Sequence, residues 1–353
     1  MSGFHKLSVK NIAQETEKSV SISFNVPENL KDEFRFKAGQ YITLKTEING
    51  EDIRRDYSIC TAPNSKELKV AVKEVVNGTF SVYANSELRV GETIEVGSPK
   101  GRFIFEANDK KTKNIALFAA GSGITPILSI IKCALKEEIH SKVILVYGNK
   151  TLKDTMFLNE LLELQHQYQD RFSIQFLFSQ TDEDNAIFGR IEKSTVNYVL
   201  KNKHKDIEVD AFYICGPELM IHTVKDVLTE HDIEDDRIFF ELFKASSIEQ
   251  PTSESTTSTS AKTKITVIVD DEESTFEMSS KQTILEAALD QDLDAPYSCQ
   301  GGICSSCLAK ITEGSAEMRL NSILTKSEVA EGLVLTCQAL PTSTTIIVDY
   351  DDV

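Results

Sequence analysis

Tyr297-Ser298-Cys299-Gln300-Gly301-Gly302-Ile303-Cys304-Ser305-Ser306-Cys307 is the stretch on which the reading of this chain turns. Its cysteines leave gaps of four and two residues, and Cys337 follows after 29 more. One class of [2Fe-2S] centre uses this spacing to present four thiolates to two irons. Such a loop must also bring backbone N–H groups close to inorganic sulfides. Gly301 and Gly302 permit that approach, and Ser305 and Ser306 add small side chains with potential donors. The bland alternative is a structural zinc site. Zinc sites usually carry two Cys-x-x-Cys arms, and here only Cys304 and Cys307 form such a pair.

Working outward, the cysteine loop sits in a small module. A strand at Ile265–Val269, a second near Ser274–Met278, a helix from Thr283 to Leu289 and closing strands near Leu333 and Ile346 surround it. Under 100 residues, this module gains from a metal staple. Before it, 10 of the 15 residues from Ser246 to Ser260 are Ser or Thr. No core can form there, so 246–261 reads as a linker that lets the C-terminal module visit more than one partner. Upstream, apolar strands alternate with helical segments: Ile115–Ala120, Val143–Tyr147, Ile174–Phe178, Phe212–Cys215 and Ile238–Phe243. This predicts a doubly wound parallel sheet over 109–245. From His5 to about Phe105 the period is two, as in Val20, Ile22, Phe24 or Ile42 and Leu44. Turn residues at Pro27–Asn29 and Asn49-Gly50 interrupt it, which predicts an antiparallel β-barrel over 1–108.

The 353 residues carry a net charge of −17, and 41% are apolar, enough for two or three cores. Of the 22 charged side chains from Lys262 to Val353, 16 are acidic and 6 basic, so −10 of the total lies in the last module. Such a surface repels nucleic acid and favours a basic protein partner, although acidity also simply aids solubility. Neither a signal-peptide pattern nor a run long enough to span a bilayer is present, so the expectation is a cytoplasmic protein without membrane contact. Seven cysteines, three of them scattered singly at Cys60, Cys133 and Cys215, suit a metal centre in a reducing compartment better than a disulfide framework.

The cysteine run closely resembles the cluster loop of plant-type ferredoxins, which implies a β-grasp fold over 262–353 and Cys299, Cys304, Cys307 and Cys337 as ligands. Arg55-Asp56-Tyr57-Ser58 resembles the Arg-x-Tyr-Ser motif of the ferredoxin-NADP reductase family. The resemblance implies FAD, with Arg55 on its pyrophosphate, Tyr57 beside the isoalloxazine and Ser58 near flavin N5. Taken alone, the tetrapeptide fits an exposed Arg and a packed strand Tyr equally well. Gly78-Thr79-Phe80-Ser81 resembles the family's Gly-x-x-Ser turn, whose N–H groups can meet the pyrophosphate. Val72 and Lys73 match the strand along the flavin, and Pro99-Lys100-Gly101-Arg102-Phe103 matches the closing barrel segment.

Gly121-Ser122-Gly123-Ile124-Thr125-Pro126 follows a buried strand and precedes a helix, a position that suits a pyrophosphate but equally a plain structural turn. In the reductase family this turn serves the nicotinamide nucleotide, with Thr125 and Pro126 close to it. Cys215-Gly216-Pro217 resembles the later Cys-Gly-Pro turn against the nicotinamide, and Tyr147-Gly148-Asn149 a recurring strand end. Glu241 and Phe243 resemble the terminal segment beside the flavin. The catalytic candidates are therefore Ser58, Cys215 and Glu241. NADPH-using members place a Ser-Arg pair after the third strand. Here Ser179-Gln180 is followed by Asp182, Glu183 and Asp184, and Arg190 downstream is the remaining cation, so NADH or NADPH stays open with a lean to NADH.

The module order resembles the reductase components of bacterial oxygenases, and among them the reductases of phenylacetyl-CoA epoxidases, whose ferredoxin is C-terminal. It implies electron flow from nicotinamide through FAD and a [2Fe-2S] cluster to a di-iron oxygenase component. Reductases of other oxygenases would share every motif. A non-enzymatic redox sensor is the rival of a different class.

Overall fold

Alternating residues from Phe4 onward build the first sheet of the computed structural model, which describes residues 3–107, 112–243 and 262–353. The expected Ser/Thr-rich linker lies outside the described residues. Two units are present, one spanning Phe4–Phe243 and one within Lys244–Val353.

The first unit opens with strands β1 (Phe4–Thr16), β2 (Ser19–Asn25), β3 (Tyr41–Ile48), β4 (Glu51–Ser58), β5 (Leu68–Lys73) and β6 (Thr93–Gly97). They pair antiparallel in the order β4-β3-β6-β1-β2-β5. Ile59, just past β4, bridges Val70 of β5, which curls the sheet into a barrel. Ile22, Ile42, Leu44 and Val72 fill its interior with no exposed surface. Asn49-Gly50 forms the tight turn that pairs Ile48 with Glu51. Ser19, Ser21 and Ser23, on the other face of β2, are buried as well, and the Ser23 hydroxyl donates to Glu67 at 2.8 Å. Helix α1 (Thr79–Ser86) follows β5.

The second sheet comprises β7 (Ile115–Ala120), β8 (Val143–Asn149), β9 (Phe172–Phe178), β10 (Ile187–Phe188), β11 (Ala211–Gly216) and β12 (Ile238–Leu242), all parallel, in the order β10-β9-β8-β7-β11-β12. Helices α2 (Ile124–Glu137), α3 (Leu158–Gln167), α4 (Lys193–Tyr198) and α5 (Glu218–Glu230) connect them. The strand order reverses between β7 and β11, and in open α/β sheets that switch point is where ligands bind. Barrel and sheet share one apolar core. Ala38, Cys60, Phe103 and Phe105 pack with Ile127, Ile130 and Ile131 of α2 and with Tyr213 of β11.

The second unit has β13 (Lys262–Val269), β14 (Glu272–Ser279), α6 (Ile284–Leu289), β15 (Leu308–Glu313), β16 (Ala316–Met318), α7 (Lys326–Ala330), β17 (Leu333–Leu335), β18 (Ala339–Pro341) and β19 (Thr345–Asp349). A mixed sheet in the order β14-β13-β19-β15-β17 clasps α6 in the expected β-grasp manner, and Ile265, Val267, Ile346 and Val348 bury against Ile284 and Ala288. Thr283 and Glu286 cap α6 reciprocally. Strand β15, directly after Cys307, is one the sequence analysis did not anticipate. Among the described residues, no helix is long and apolar enough to cross a membrane.

Candidate active site

At the switch point the ends of β4, β7, β11 and β12 converge. Cys215 is the register partner of Ala119 on one side and of Glu241 on the other. The Ser58 hydroxyl, at the end of β4, donates to the Glu241 carboxylate at 3.2 Å. Burial pushes the Glu241 carboxyl up to about 8, opposed by the Ser58 hydrogen bond and assisted by the Asp56 charge. Burial, and next the Glu241 charge, also raises the Cys215 thiol well above its ordinary value. A thiol so placed stays protonated and acts as a small apolar wall.

The Gly121–Gly123 turn leads from β7 into α2, whose first turn has no side-chain cap, while the Ile124 N–H donates back to the Gly121 and Ser122 carbonyls. Thr125 is buried and donates to the Ser122 carbonyl at 3.1 Å, which fixes the turn rather than presenting the hydroxyl outward. The Tyr147 hydroxyl donates to the Gly121 carbonyl at 3.0 Å. A Cβ on Gly123 would collide with the Cys215 carbonyl oxygen, so glycine is what lets the two turns touch. Lys73, at the end of β5, approaches the same turn: its Nζ lies 3.8 Å from where a Gly121 Cβ would be.

On the barrel side, Tyr57 leans on Phe80 with ring centroids 5.4 Å apart. Phe80 and Val72 are themselves buried, their side chains part of the barrel core. Gly78 is the N-cap of α1, which also lacks a side-chain cap, and the Ser81 hydroxyl accepts from the Val75 N–H at 3.1 Å. The Gly78 N–H donates to the Val75 carbonyl at 2.9 Å, so the amides that follow it, at the start of α1, are those suited to a pyrophosphate. Arg55 is exposed, its guanidinium held by the Arg54 carbonyl. Pro217 caps α5, and Phe243 packs on the shared core. The Ser179 N–H donates to the Asn149 carbonyl, while Arg190 lies exposed beyond β10, apart from the converging strand ends.

Sequence reasoning missed how α2 is fastened to the barrel. The Ser129 hydroxyl donates to the Thr61 carbonyl at 2.6 Å, and the Lys132 ammonium reaches the Cys60 carbonyl at 3.0 Å and Glu160 at 2.6 Å. No local signal marks these residues. It also assigned no role to Asn149 beyond matching a strand end. Its buried side chain lies against the Tyr147 hydroxyl.

In the second unit the four expected thiols form one linked group. The sulfurs of Cys299 and Cys304 are 3.1 Å apart, and the Cys337 thiol is hydrogen-bonded to Cys299 and to Cys307. Donation from Cys304, then Cys337, and from the Gly301 and Ile303 amides holds Cys299 far below the ordinary thiol range. That favours the thiolate a metal needs. Gly302 has a φ of +70°, and a Cβ there would meet the Leu320 carbonyl oxygen at 2.9 Å. Gln338 ties the loop by donating to the Gln300 carbonyl at 2.9 Å. Behind the thiols, Tyr350 donates to Thr336 at 2.9 Å, and Thr336 donates to the Cys307 carbonyl at 2.9 Å. Donor chemistry and loop geometry fit a cluster.

Three family models match in order: an oxidoreductase FAD-binding domain over 6–105, an oxidoreductase NAD-binding domain over 117–226 and a 2Fe-2S iron-sulfur cluster binding domain over 267–342. The chain is 36% identical to a component of the 1,2-phenylacetyl-CoA epoxidase of Escherichia coli (strain K12), with 99% of each chain covered. The chain belongs to the oxygenase reductases. This oxygenase reductase is accordingly an oxidoreductase with FAD, nicotinamide and [2Fe-2S] domains, and the zinc alternative falls away. It is also 30% identical to the ferredoxin reductase component of 3-ketosteroid-9-alpha-monooxygenase of Rhodococcus rhodochrous, covering 98% of this chain and 96% of that one. Its fold is similar to that of phthalate dioxygenase reductase, with a TM-score of 0.61, 24% identity and 98% of each chain covered.

Proposed function

We propose that this oxygenase reductase takes hydride from NADH at the Ser58–Cys215–Glu241 crevice and supplies electrons, through its four-thiol loop, to the di-iron oxygenase component of a phenylacetyl-CoA epoxidase in the cytoplasm. The observation that carries the reading is the meeting of Ser58 with Glu241, 3.2 Å apart, beside Cys215 at the switch point. FAD, when bound, turns a two-electron donor into a one-electron supply.

The chain's own residues position and enclose. Tyr57 and Ser58 offer an aromatic face and a hydroxyl to the flavin ring, and the amides from Thr79 to Ser81, with Arg55, suit its pyrophosphate. Opposite, Gly121–Pro126 suits the nicotinamide pyrophosphate, and Cys215-Gly216-Pro217 lines the ring. The thiol and the protonated Glu241 carboxyl exclude water from the contact. Cys299, Cys304, Cys307 and Cys337 would hold the cluster. Boundaries of 1–108, 109–245, 246–261 and 262–353 follow from this division.

NADH is favoured because Gln180, rather than a cation, follows Ser179, with Asp182, Glu183 and Asp184 next. The epoxidase partner rests on the 36% relative, and the acidic last module suits a basic docking face on it. The test is anaerobic mixing of the purified enzyme with NADH. Flavin bands and the broad [2Fe-2S] absorption should bleach together, and adding a purified phenylacetyl-CoA epoxidase oxygenase should restore them in the presence of oxygen and substrate. Bleaching without reoxidation by that component overturns the partner, and no bleaching overturns the reading.

A further inference from the structure

We propose that Gln338 is a positioning residue of the cysteine loop, its carboxamide N–H setting the reduction potential of the [2Fe-2S] cluster. The inference rests on Cys299, Cys304, Cys307 and Cys337 as the ligands, as given above, and adds a side chain that is not itself one.

Cys337 is remote in sequence from the other three thiols, and its two neighbours hold its segment against theirs in opposite directions. Thr336 is fully buried, and both its N–H, at 3.1 Å, and its hydroxyl, at 2.9 Å, donate to the Cys307 carbonyl. Gln338 is half-buried and reaches the other end of the loop, where its Nε2 donates to the Gln300 carbonyl at 2.9 Å. The same Nε2 lies 3.9 Å from the Cys337 sulfur, a long N–H···S contact. One amide nitrogen with two hydrogens thus serves a backbone oxygen and a ligand sulfur.

Gln300 gives the clasp its purpose. Its φ of +51° puts a non-glycine residue in the left-handed region between Cys299 and Gly301, a conformation that persists only where its surroundings hold it. The Gln338 stem also packs on the next turn of the loop, where a Cβ on Gly302 would meet its Cγ at 3.0 Å. Beside them, the Gly301 N–H donates to the Cys299 sulfur at 3.3 Å, so the backbone that Gln338 holds is the backbone that aims this amide. The effect on an electron follows from charge. Reduction puts more negative charge on the ligand sulfurs, and a donor aimed at one of them stabilises the reduced state more than the oxidised one. Gln338 therefore raises the potential.

The test uses the full-length holoenzyme, with the cluster read by electron paramagnetic resonance at set potentials and with iron and sulfide measured alongside. Gln338→Met keeps the stem and loses the donor, so its cluster should be harder to reduce by about threefold in the equilibrium constant, roughly 30 mV for one electron. Gln338→Lys, which keeps a donor and adds positive charge, should lie above the parent, and Gln338→Glu should lie below Gln338→Met. If Gln338→Met holds the parental potential while the two charged variants move, only nearby charge is felt and the assignment falls. Adding Gln300→Gly to Gln338→Met supplies a residue that adopts this φ without a clasp. The pair should recover any iron lost and stay low in potential; a potential restored by the glycine means that loop shape sets it, which overturns the assignment. Iron lost from Gln338→Met and kept in Gln338→Lys supports the clasp, whereas iron lost from all three single variants overturns it. Parental iron and spectrum in Cys337→Ser would instead overturn the ligand set on which the inference rests.

Discussion

The Ser58 hydroxyl and the Glu241 carboxylate, 183 residues apart in sequence, lie 3.2 Å from each other. The contact joins the last residue of a barrel strand to the outermost strand of the parallel sheet, so it records how the two sheets are set against each other.

That carboxyl predicts a pH dependence. Burial raises it from an ordinary value of 4.5 to about 8. Between those values the native chain keeps a proton that the unfolded chain has released, so stability falls as pH rises through the window. Urea unfolding of flavin-stripped enzyme at about pH 5 and about pH 8 should show the fall, and Glu241→Gln should flatten it. An undiminished slope in the variant would reject the assignment.

Cysteine replacements should divide by position. Cys299→Ser or Cys337→Ser should lose iron and sulfide and stop cytochrome c reduction, while NADH-dependent ferricyanide reduction through the flavin unit persists. Cys60→Ser, whose site is a fully buried thiol in the other unit, should keep iron and sulfide at the parental level. Metal analysis and the visible spectrum decide between these outcomes.

Gly123→Val should damage hydride transfer more than stability. The added carbon must push apart two turns that touch through the Cys215 carbonyl. A displacement of that size costs on the order of 10²-fold in rate when it misplaces reacting groups. Stopped-flow reduction with NADH measures it, and a parental rate would show that the turns do not set the geometry.

Gln180→Arg should raise kcat/KM for NADPH by about tenfold, because a guanidinium can pair with a 2′-phosphate. No gain would place cofactor discrimination elsewhere, with Arg190 the next residue to replace.

Ser129→Ala should cost about 1–3 kcal/mol, since it leaves the Thr61 carbonyl buried without its donor. Urea unfolding followed by circular dichroism gives the number, and a change near zero would mean that the carbonyl finds another partner.

Residues that work through short local patterns were legible before any coordinates. Cys299, Cys304 and Cys307 sit in one loop, and the Asn49-Gly50 turn and the Thr283 cap are each encoded within a few positions. Period two put Val20, Ile22 and Phe24 on one face of β2 but does not say how many faces are wet, and Ser19, Ser21 and Ser23 are buried too. Strand β15 was hidden since its six residues begin directly after Cys307, where the ligand spacing dominates the pattern. The fastening of α2 by Ser129 and Lys132 depends on which distant backbone lies opposite. A sequence without tertiary pairing carries no mark of that.

The apolar core shared by the barrel and the parallel sheet bears on how such proteins can be recombined. Because Phe103 and Phe105 of one fold interleave with Ile127 and Ile130 of the other, and Ser129 bonds across the seam, a chimera cut between flavin and nucleotide segments exposes two mismatched halves. Phe4–Phe243 is the smallest block to exchange intact, and grafts that respect it are the ones to build when new electron acceptors are wanted.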